Sequence, residues 1–428
     1  RLIRTIGSPC AGLRFCSHGV TWTHLALRPG IEMPEVLVTQ VQSRGGLAVI
    51  RSLGAHGIRV TACDSDRVAL GFFSRYCHRH FVTPDPARSP DAYTERIMEE
   101  LRSKTYDVII PVSGDTLPLL AKERDTIREL TRFPFLHYEA LRDAADKALS
   151  AEEARVVGIR VPRTFRAGGS DDARTAVQQL GLPVIVRPRL SKGSEGLYRV
   201  ERADAVWSTC QAVRAAHGPV IVQEYIPWGG YTYDVDVLMN ERSEERAAVV
   251  CKRLRMYPPL AGPTALGKAI YWPELSEQAV RLLKRLNWFG PAEVEFRVDP
   301  RDGVPVFTEI NARFWGSLFT GMAAGVDFPH MLYRLAVEGD CPKVDAYRTD
   351  VKVRYLFTED LLCMAFHPRK RSIVRAWLGD FFDRKTWDYL LWRSDPLPLL
   401  GRILAMLAYG VRPSRVKERL VRVGTIGR

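Results

Sequence analysis

The sequence predicts an α/β unit followed by an α+β unit and a basic, largely helical C-terminal region. Strands and helices alternate from residue 33 to about residue 114, amphipathic strands dominate the middle of the chain, and positive charge is concentrated near its end. We therefore divide the chain into an N-terminal extension of unclear role and three larger parts, with these boundaries: 1–32, 33–140, 141–345 and 346–428.

Length and composition indicate an ordinary globular protein. The chain has 428 residues, of which 46% are hydrophobic and 26% charged, so two or three domains with a large core are expected. Its apolar stretches fall short of the roughly 20 residues that a membrane-spanning helix needs. The eight cysteines form no C-x-x-C pair. This pattern favours reduced thiols and a cytoplasmic location.

The first elements after residue 33 are typical of a parallel sheet. Predicted strands at 35–40, 59–65 and 106–114 alternate with predicted helices at 45–57 and 93–103. Crossover helices between parallel strands give a Rossmann-like unit. The first turn, TQVQSRGG, lacks the spacing G-x-G-x-x-G, so no dinucleotide site is predicted. Three side chains near strand ends are candidates for reaching a substrate: Arg44, Arg75 and Asp115.

Two strands later in the chain carry acidic residues on one face. AEVEFRV (292–298) and FTEINARFWGS (307–317) flank DPRDG, a turn-forming cluster. A turn centred near Asp302 places Glu295 opposite Glu309, with Asn311 on the same face. Facing carboxylates repel unless a cation lies between them, and these oxygen ligands suit magnesium. The alternative is the solvated face of an edge hairpin.

A loop after the predicted strand PVIVRP is a candidate phosphate site. Small residues there allow backbone N–H groups to approach phosphate oxygens, and Arg187 adds a fixed cation. The loop residues are Ser191, Gly193, Ser194 and Gly196. Many such loops are only flexible connections, so this signal is weak by itself.

Two other motifs are weaker. GPTALGKA (262–269) fits G-x-x-x-x-G-K, but Ala269 replaces the hydroxyl residue that a P-loop uses for magnesium, so we interpret it as a substrate-side loop. YCHRH (76–80) offers three close metal ligands without a fourth, which is more typical of a surface segment than of a zinc site.

The net charge of +13 is unevenly distributed. Residues 368–428 hold 14 Lys and Arg against 5 Asp and Glu, and their aromatic and aliphatic residues are mixed with the basic ones. This mixture suits helices on an anionic membrane surface. The alternative is that the aromatics pack on the body of the protein. No nucleic-acid motif accompanies the charge, so nucleic-acid binding is not predicted.

Several segments occur in an order that resembles one enzyme superfamily. They are DK (146–147), VIVRPRLSKGSEG, VQEYIPWGG with YDVDVL, and VEFRVDPRDGVPVFTEINARFWGS. Together they resemble the ATP-grasp superfamily, and NARFWGS is similar to its carboxylate-amine ligase branch, which carries an ATP-grasp domain like that of the carbamoyl-phosphate synthetase large subunit. The resemblance spans roughly residues 34–340 and implies two α+β lobes that clasp ATP.

The resemblance also implies roles for individual residues. Basic and small residues would meet the phosphates or adenine, and they are Lys147, Arg187, Ser191, Gly193, Ser194 and Gly196. Glu224, Tyr225 and Ile226 would form the adenine-binding hinge, with Thr232 at the ribose, where the family has an acidic residue. The magnesium ligands would be Glu295, Glu309 and Asn311, and the catalytic cations Arg313 and Arg253.

The implied reaction joins a carboxylate to an amine. The acid attacks the γ-phosphate of ATP to give an acyl phosphate, which the amine then converts to an amide, with release of ADP and phosphate. Two Mg²⁺ ions are expected, with Mn²⁺ as a substitute, and a homodimer is a further expectation. Two alternatives remain open: a bicarbonate-using carboxylase or carbamoyl-phosphate type enzyme, and a non-catalytic nucleotide-binding or membrane-associated scaffold.

Overall fold

The computed structural model describes residues 33–191, 195–257, 262–366 and 370–410, together with two short strands nearer the N-terminus. These strands, β1 (Arg14–Cys16) and β2 (Gly19–Thr21), pair antiparallel. The rest of the predicted N-terminal extension, residues 1–32, lies outside the residues that the structure describes.

The first large unit is a four-stranded parallel sheet in the order β5-β4-β3-β6. Its elements are β3 (Glu35–Thr39), α1 (Arg44–Ala55), β4 (Arg59–Asp64), the 3-10 helix η1 (Leu70–Phe73), β5 (Cys77–Val82), α2 (Pro90–Ser103) and β6 (Val108–Pro111). The predicted alternation is therefore present, and the YCHRH motif contributes to an edge strand. Helices α3 (Leu117–Lys122), α4 (Arg124–Leu130) and α5 (Tyr138–Ala145) follow.

A smaller lobe with its own core comes next. It follows α6 (Lys147–Val156), whose Ala151 and Ala154 are buried in the main hydrophobic core of the protein. The elements of the lobe itself are β7 (Thr164–Arg166), α7 (Ser170–Leu180), β8 (Val184–Pro188), β9 (Tyr198–Val200), α8 (Ala203–His217) and β10 (Val220–Glu224). Its antiparallel sheet has the order β7-β10-β8-β9. Apolar side chains such as Val186, Val213 and Val222 are buried between this sheet and helices α7 and α8. Burial of these side chains lets the small sheet form one wall of a cleft.

The larger lobe is a seven-stranded sheet in the order β15-β14-β11-β12-β13-β16-β17. Its elements are β11 (Thr232–Met239), β12 (Glu245–Met256), β13 (Thr264–Ile270), α9 (Pro273–Arg285), β14 (Gly290–Val298), β15 (Pro305–Asn311), α10 (Leu318–Ala323), α11 (Phe328–Glu338), β16 (Lys352–Arg354) and β17 (Thr386–Asp388). The interpretation of GPTALGKA as a loop is wrong, because residues 264–270 pair with β12 on one side and β16 on the other.

The C-terminal region is partly sheet. Strands β16 and β17 extend the central sheet, and the helices between and after them are the π-helix η2 (Leu356–Asp360), α12 (Leu361–Phe366), α13 (Lys370–Phe382) and α14 (Leu397–Gly410). Within the described part of the chain, no helix is long and apolar enough to cross a membrane.

A buried ion pair joins this region to the first unit. Arg51 on α1 donates from Nε to Asp395 Oδ2 at 2.7 Å, and both side chains are fully buried. The same carboxylate accepts hydrogen bonds from Ser74 Oγ and from the backbone N–H of Arg75, both at 2.8 Å. Aromatic residues of this segment pack on the body as well, with Trp392 against Phe319. For this stretch, the alternative in which C-terminal aromatic residues pack on the body of the protein is therefore confirmed.

We expect Asp395→Asn to destabilise the protein strongly. The change leaves the guanidinium of Arg51 buried without a compensating charge, which costs about 3–5 kcal/mol. Urea denaturation measures the loss in the free energy of unfolding. The matched control, Asp345→Asn, removes an exposed carboxylate and is expected to cost less than about 1 kcal/mol. Equal effects of the two substitutions would contradict this description of the C-terminal region.

Candidate functional site

The predicted register of the acidic hairpin is confirmed. Strands β14 and β15 pair antiparallel with Glu295 directly opposite Glu309 and Glu293 opposite Asn311. The DPRDG turn closes the hairpin, with Gly303 N–H donating to the Asp299 carbonyl at 2.8 Å and Gly303 at a φ of +75°. Alternation of side chains in these strands therefore presents the acidic residues on one face.

Three cations surround the facing carboxylates. Lys147 Nζ lies 3.5 Å from Glu309 Oε2, and Arg187 Nη2 lies 3.2 Å from the same oxygen. Arg253 Nη2 donates to Glu295 Oε2 at 2.6 Å. These contacts bring side chains from α6, β8, β12 and the hairpin together. The repulsion between the two glutamates is offset by positive charge from both lobes.

Burial and charge act in opposite directions on Glu309. Burial favours its neutral form, but the charges of Lys147 and Arg187 outweigh this effect and hold the pKa of Glu309 below its ordinary value. Burial also lowers the pKa of the Lys147 ammonium. Glu309 is therefore ionised at neutral pH and available as an oxygen ligand.

A second row of carboxylates lies deeper in the sheet. Asp234 and Asp236 on β11 stand opposite Glu295 and Glu293 on β14. Burial raises the pKa of Asp234 to about 6, although Arg253 opposes the shift through a bidentate ion pair at 2.6 and 2.8 Å. Burial and the charge of Asp234 raise the pKa of Glu293 to about 8. Arg253 thus links the buried row to the face that lines the cleft.

The acidic face lines a cleft of about 620 Å³ between the small and large sheets. Apolar and aromatic side chains from the small lobe and from the segment that follows it also line the cleft: Ile185, Tyr198, Tyr225, Ile226 and Trp228. Thr232 is a further lining residue, while Glu224 forms ion pairs with Arg163 and Arg301 at 3.3 and 3.2 Å. Apolar and aromatic side chains of this kind suit a nucleotide base.

The predicted phosphate loop is described only in part. Lys147 Nζ donates to the carbonyl of Ser191 at 2.8 Å, so the start of the loop is fixed beside the cations. Gly196 lines the cleft with a φ of +68°, a conformation that favours glycine. Gly193 and Ser194 lie outside the described residues.

The cleft is also lined by Arg44 of the first unit and by Arg313 of the large lobe. Arg313 Nη2 donates to Asn311 Oδ1 at 3.1 Å, and both line the cleft. Arg44, at the start of α1, crosses to the large lobe and donates to the carbonyl of Thr264 at 2.8 Å. Of the three strand-end candidates Arg44 alone reaches the cleft in the described structure, because Arg75 contacts Ser394 and Asp115 is exposed beside Ser113.

The family model described as "ATP-grasp in the biosynthetic pathway with Ter operon" matches residues 217–359, which contain the hairpin and both rows of carboxylates. The chain contains an ATP-grasp domain. The chain is also similar to the carbamoyl phosphate synthase large chain of Myxococcus xanthus, at 20% identity over 308 residues. The match covers 68% of this chain and 28% of that relative, so the chain spans little more than a quarter of its length.

Solved structures share the fold of the ATP-grasp domain. The biotin carboxylase domain of 2-oxoglutarate carboxylase from Hydrogenobacter thermophilus, in complex with MgADP, ADP and bicarbonate, is 18% identical with a TM-score of 0.61 and coverage of 75% of this chain and 74% of that chain. An L-amino acid ligase from Bacillus licheniformis is 16% identical with a TM-score of 0.57 and coverage of 71% and 74%.

Several residues at the site were not among the sequence candidates. Asp234 and Asp236 are visible in TYDVDV as alternating acids, but their burial depends on strands on both sides of β11. Arg297 lines the cleft with its guanidinium 4.1 Å from the ring centre of Trp228. No local pattern identifies this contact, because 69 residues separate the two positions.

We expect Glu309→Gln to weaken the binding of ADP with Mg²⁺ at least about tenfold. The substitution keeps the shape of the side chain but removes the charge that a cation requires. Binding of ADP without metal should not fall, because Lys147 and Arg187 remain to meet the phosphates. Isothermal titration calorimetry with and without Mg²⁺ measures both affinities.

The matched control is Glu338→Gln, which alters an exposed ion pair with Arg334 on α11. It should bind MgADP like the unaltered protein. If Mg²⁺ strengthened ADP binding by Glu309→Gln as much as it does for the unaltered protein, the assignment of Glu309 as a metal ligand would be contradicted.

Proposed function

We propose that the protein is an ATP-dependent ligase that activates a carboxylate as an acyl phosphate and joins it to an amine. The observation that carries this proposal is the pair Glu295 and Glu309, which face each other at a cleft between two lobes and are surrounded by Lys147, Arg187 and Arg253. This arrangement suits the terminal phosphates of a nucleotide bound with divalent metal.

The donor set fits magnesium. Glu295, Glu309 and Asn311 supply hard oxygen ligands on neighbouring strands, and the first two side chains are accessible from the cleft. We propose these three as the metal ligands, with two Mg²⁺ ions or Mn²⁺ in their place. Bound metal would neutralise the phosphate charges that repel an attacking carboxylate.

The chain's own cations have separate roles in this proposal. Lys147 and Arg187 bind the phosphates, while Arg313 stabilises the negative charge of the transferring phosphoryl group. Arg253 orients Glu295 and keeps the ion pair with Asp234. It therefore acts as a positioning residue rather than as a direct participant.

The nucleotide base occupies the apolar end of the cleft. Tyr225 and Ile226 line the slot, and Glu224 is held by Arg163 and Arg301 so that its backbone is fixed at the hinge. We propose that Thr232 meets the ribose, with a hydroxyl at the position where the resemblance implies a carboxylate. We propose phosphate contacts for Ser191, Gly193, Ser194 and Gly196, of which Gly193 and Ser194 lie outside the described residues.

The acid and amine bind at the opposite end. Arg313 and Arg44 present guanidinium groups there, beside Gly316 and Ser317. A guanidinium binds a carboxylate through two parallel hydrogen bonds, which orients the acid for attack. We assign residues 33–140 to a unit that supplies this wall, residues 141–345 to the ATP-grasp domain and residues 346–428 to the C-terminal region.

We further propose a cytoplasmic location and a homodimer. The six cysteines within the described residues are all free, as expected for a reducing compartment. The dimer proposal is supported by the relative from Hydrogenobacter thermophilus, whose biotin carboxylase domain is described as a dimer.

Phosphate release from ATP tests the reaction class. Purified protein is incubated with Mg²⁺, ATP and pools of carboxylic acids and amines, each omitted in turn. We expect release to require both an acid and an amine, and Glu309→Gln to abolish it while Glu338→Gln does not.

Other outcomes would contradict the proposal. Release that depends on bicarbonate would indicate an enzyme like the bicarbonate-binding relative. No release with any pool, together with normal MgADP binding, would indicate a nucleotide-binding scaffold.

A further inference from the structure

Helix α14 has an unusual distribution of side chains. Its buried side carries small residues, with Gly401 so close to Phe73 of η1 that an added Cβ would lie 2.5 Å from the ring, and Ala405 one turn later. Its outer side carries large apolar residues that are 39% to 63% exposed: Leu397, Leu400, Ile403, Leu404, Met406 and Leu407. A surface helix normally has the opposite arrangement, with its apolar face inward.

This outer face, which we call the α14 stripe, is contiguous. Positions 397, 400, 404 and 407 repeat at intervals of three and four residues, which places them along one side of a helix. A contiguous apolar patch of this kind marks an interaction surface rather than scattered exposed residues.

The charge of the sequence that contains and follows the stripe indicates its partner. Residues 396–428 contain seven Lys and Arg and one Glu, a net charge of +6, and most of that charge lies in the sequence after α14. Apolar residues combined with flanking basic residues match an anionic lipid surface, where the apolar side chains enter the headgroup boundary and the basic ones meet the lipid charges.

Pairing with a second copy fits these features less well. Two adjacent stripes would also bring two segments of net charge +6 together, which costs electrostatic energy. The repeat covers about two heptads, whereas a helical coiled coil needs about three to four.

A second exposed apolar set occurs on α13. Val374, Leu378, Phe381 and Phe382 are 38% to 85% exposed, and Trp377 packs edge-on against Phe381. Aromatic residues of this kind are favoured at the boundary between lipid and water. The C-terminal region therefore offers apolar residues from two helices.

We propose that the α14 stripe binds the surface of an anionic membrane, with the helix lying in the plane of the lipid headgroups. The rest of the fold keeps its position, because η1 and the Arg51–Asp395 ion pair hold this region on the first unit. The protein then acts as a peripheral membrane protein through a helix that does not cross the bilayer.

Vesicle sedimentation tests this proposal. The full chain is mixed with phosphatidylcholine vesicles that contain about 30% phosphatidylglycerol, and with phosphatidylcholine alone. We expect binding to the anionic vesicles only, a decrease in that binding as salt increases, and at least a roughly tenfold weaker affinity for the triple variant Leu400→Glu, Leu404→Glu, Leu407→Glu.

The control variant is Val156→Glu, which places the same charge at an exposed apolar position on α6. It should bind the vesicles like the unaltered chain. Thermal melting and MgADP titration establish that each variant is folded, so a loss of vesicle binding reports on the surface alone.

Three results would overturn the proposal. One is absence of binding to anionic vesicles, and another is equal binding by the triple variant. The third is a dimer in analytical ultracentrifugation that the triple variant converts to a monomer without any lipid binding, which would assign the stripe to a second copy. None of these results depends on the ligase reaction.

Discussion

The apposition of Glu295 and Glu309 is the constraint that the rest of the site satisfies. Two carboxylates at opposed positions of one hairpin repel, and in a cleft lined by protein this repulsion is screened less than in water. Lys147, Arg187 and Arg253 lie where they offset that charge. In the function we propose, the same positive groups would meet a nucleotide phosphate while metal ions bind the carboxylates.

Each structural unit contributes to that arrangement. The small lobe supplies Arg187, helix α6 supplies Lys147, the large sheet supplies the acidic face, and the first unit supplies Arg44 to the cleft. The C-terminal region adds two strands to the large sheet and is tied to the first unit through Asp395. Residues separated by more than 300 positions therefore depend on one another for their placement.

The hairpin was predictable from the sequence because its determinants are local. Alternating side chains set which face each residue occupies, and a five-residue turn sets the register. Contacts between distant segments were not predictable in this way. Residue patterns alone do not indicate that Arg187 approaches Glu309, since 122 positions separate them.

The incorrect or incomplete predictions have physical reasons. Residues 264–270 contain Gly, Lys and Ala, which are depleted in strands, but hydrogen bonds from strands on both sides make them a strand. Strands β16 and β17 have three residues each, too few for a recognisable alternation. The orientation of the α14 stripe depends on how α14 packs against η1. The helical pattern alone therefore does not predict which face of the helix is exposed.

A crystal structure with Mg²⁺ and a non-hydrolysable ATP analogue tests the central claim most directly. We expect metal density within coordination distance of Glu295, Glu309 and Asn311, with the terminal phosphate between that metal and Lys147. Electron density that shows the nucleotide elsewhere, or Glu295 and Glu309 still paired only with their basic neighbours, would contradict the account.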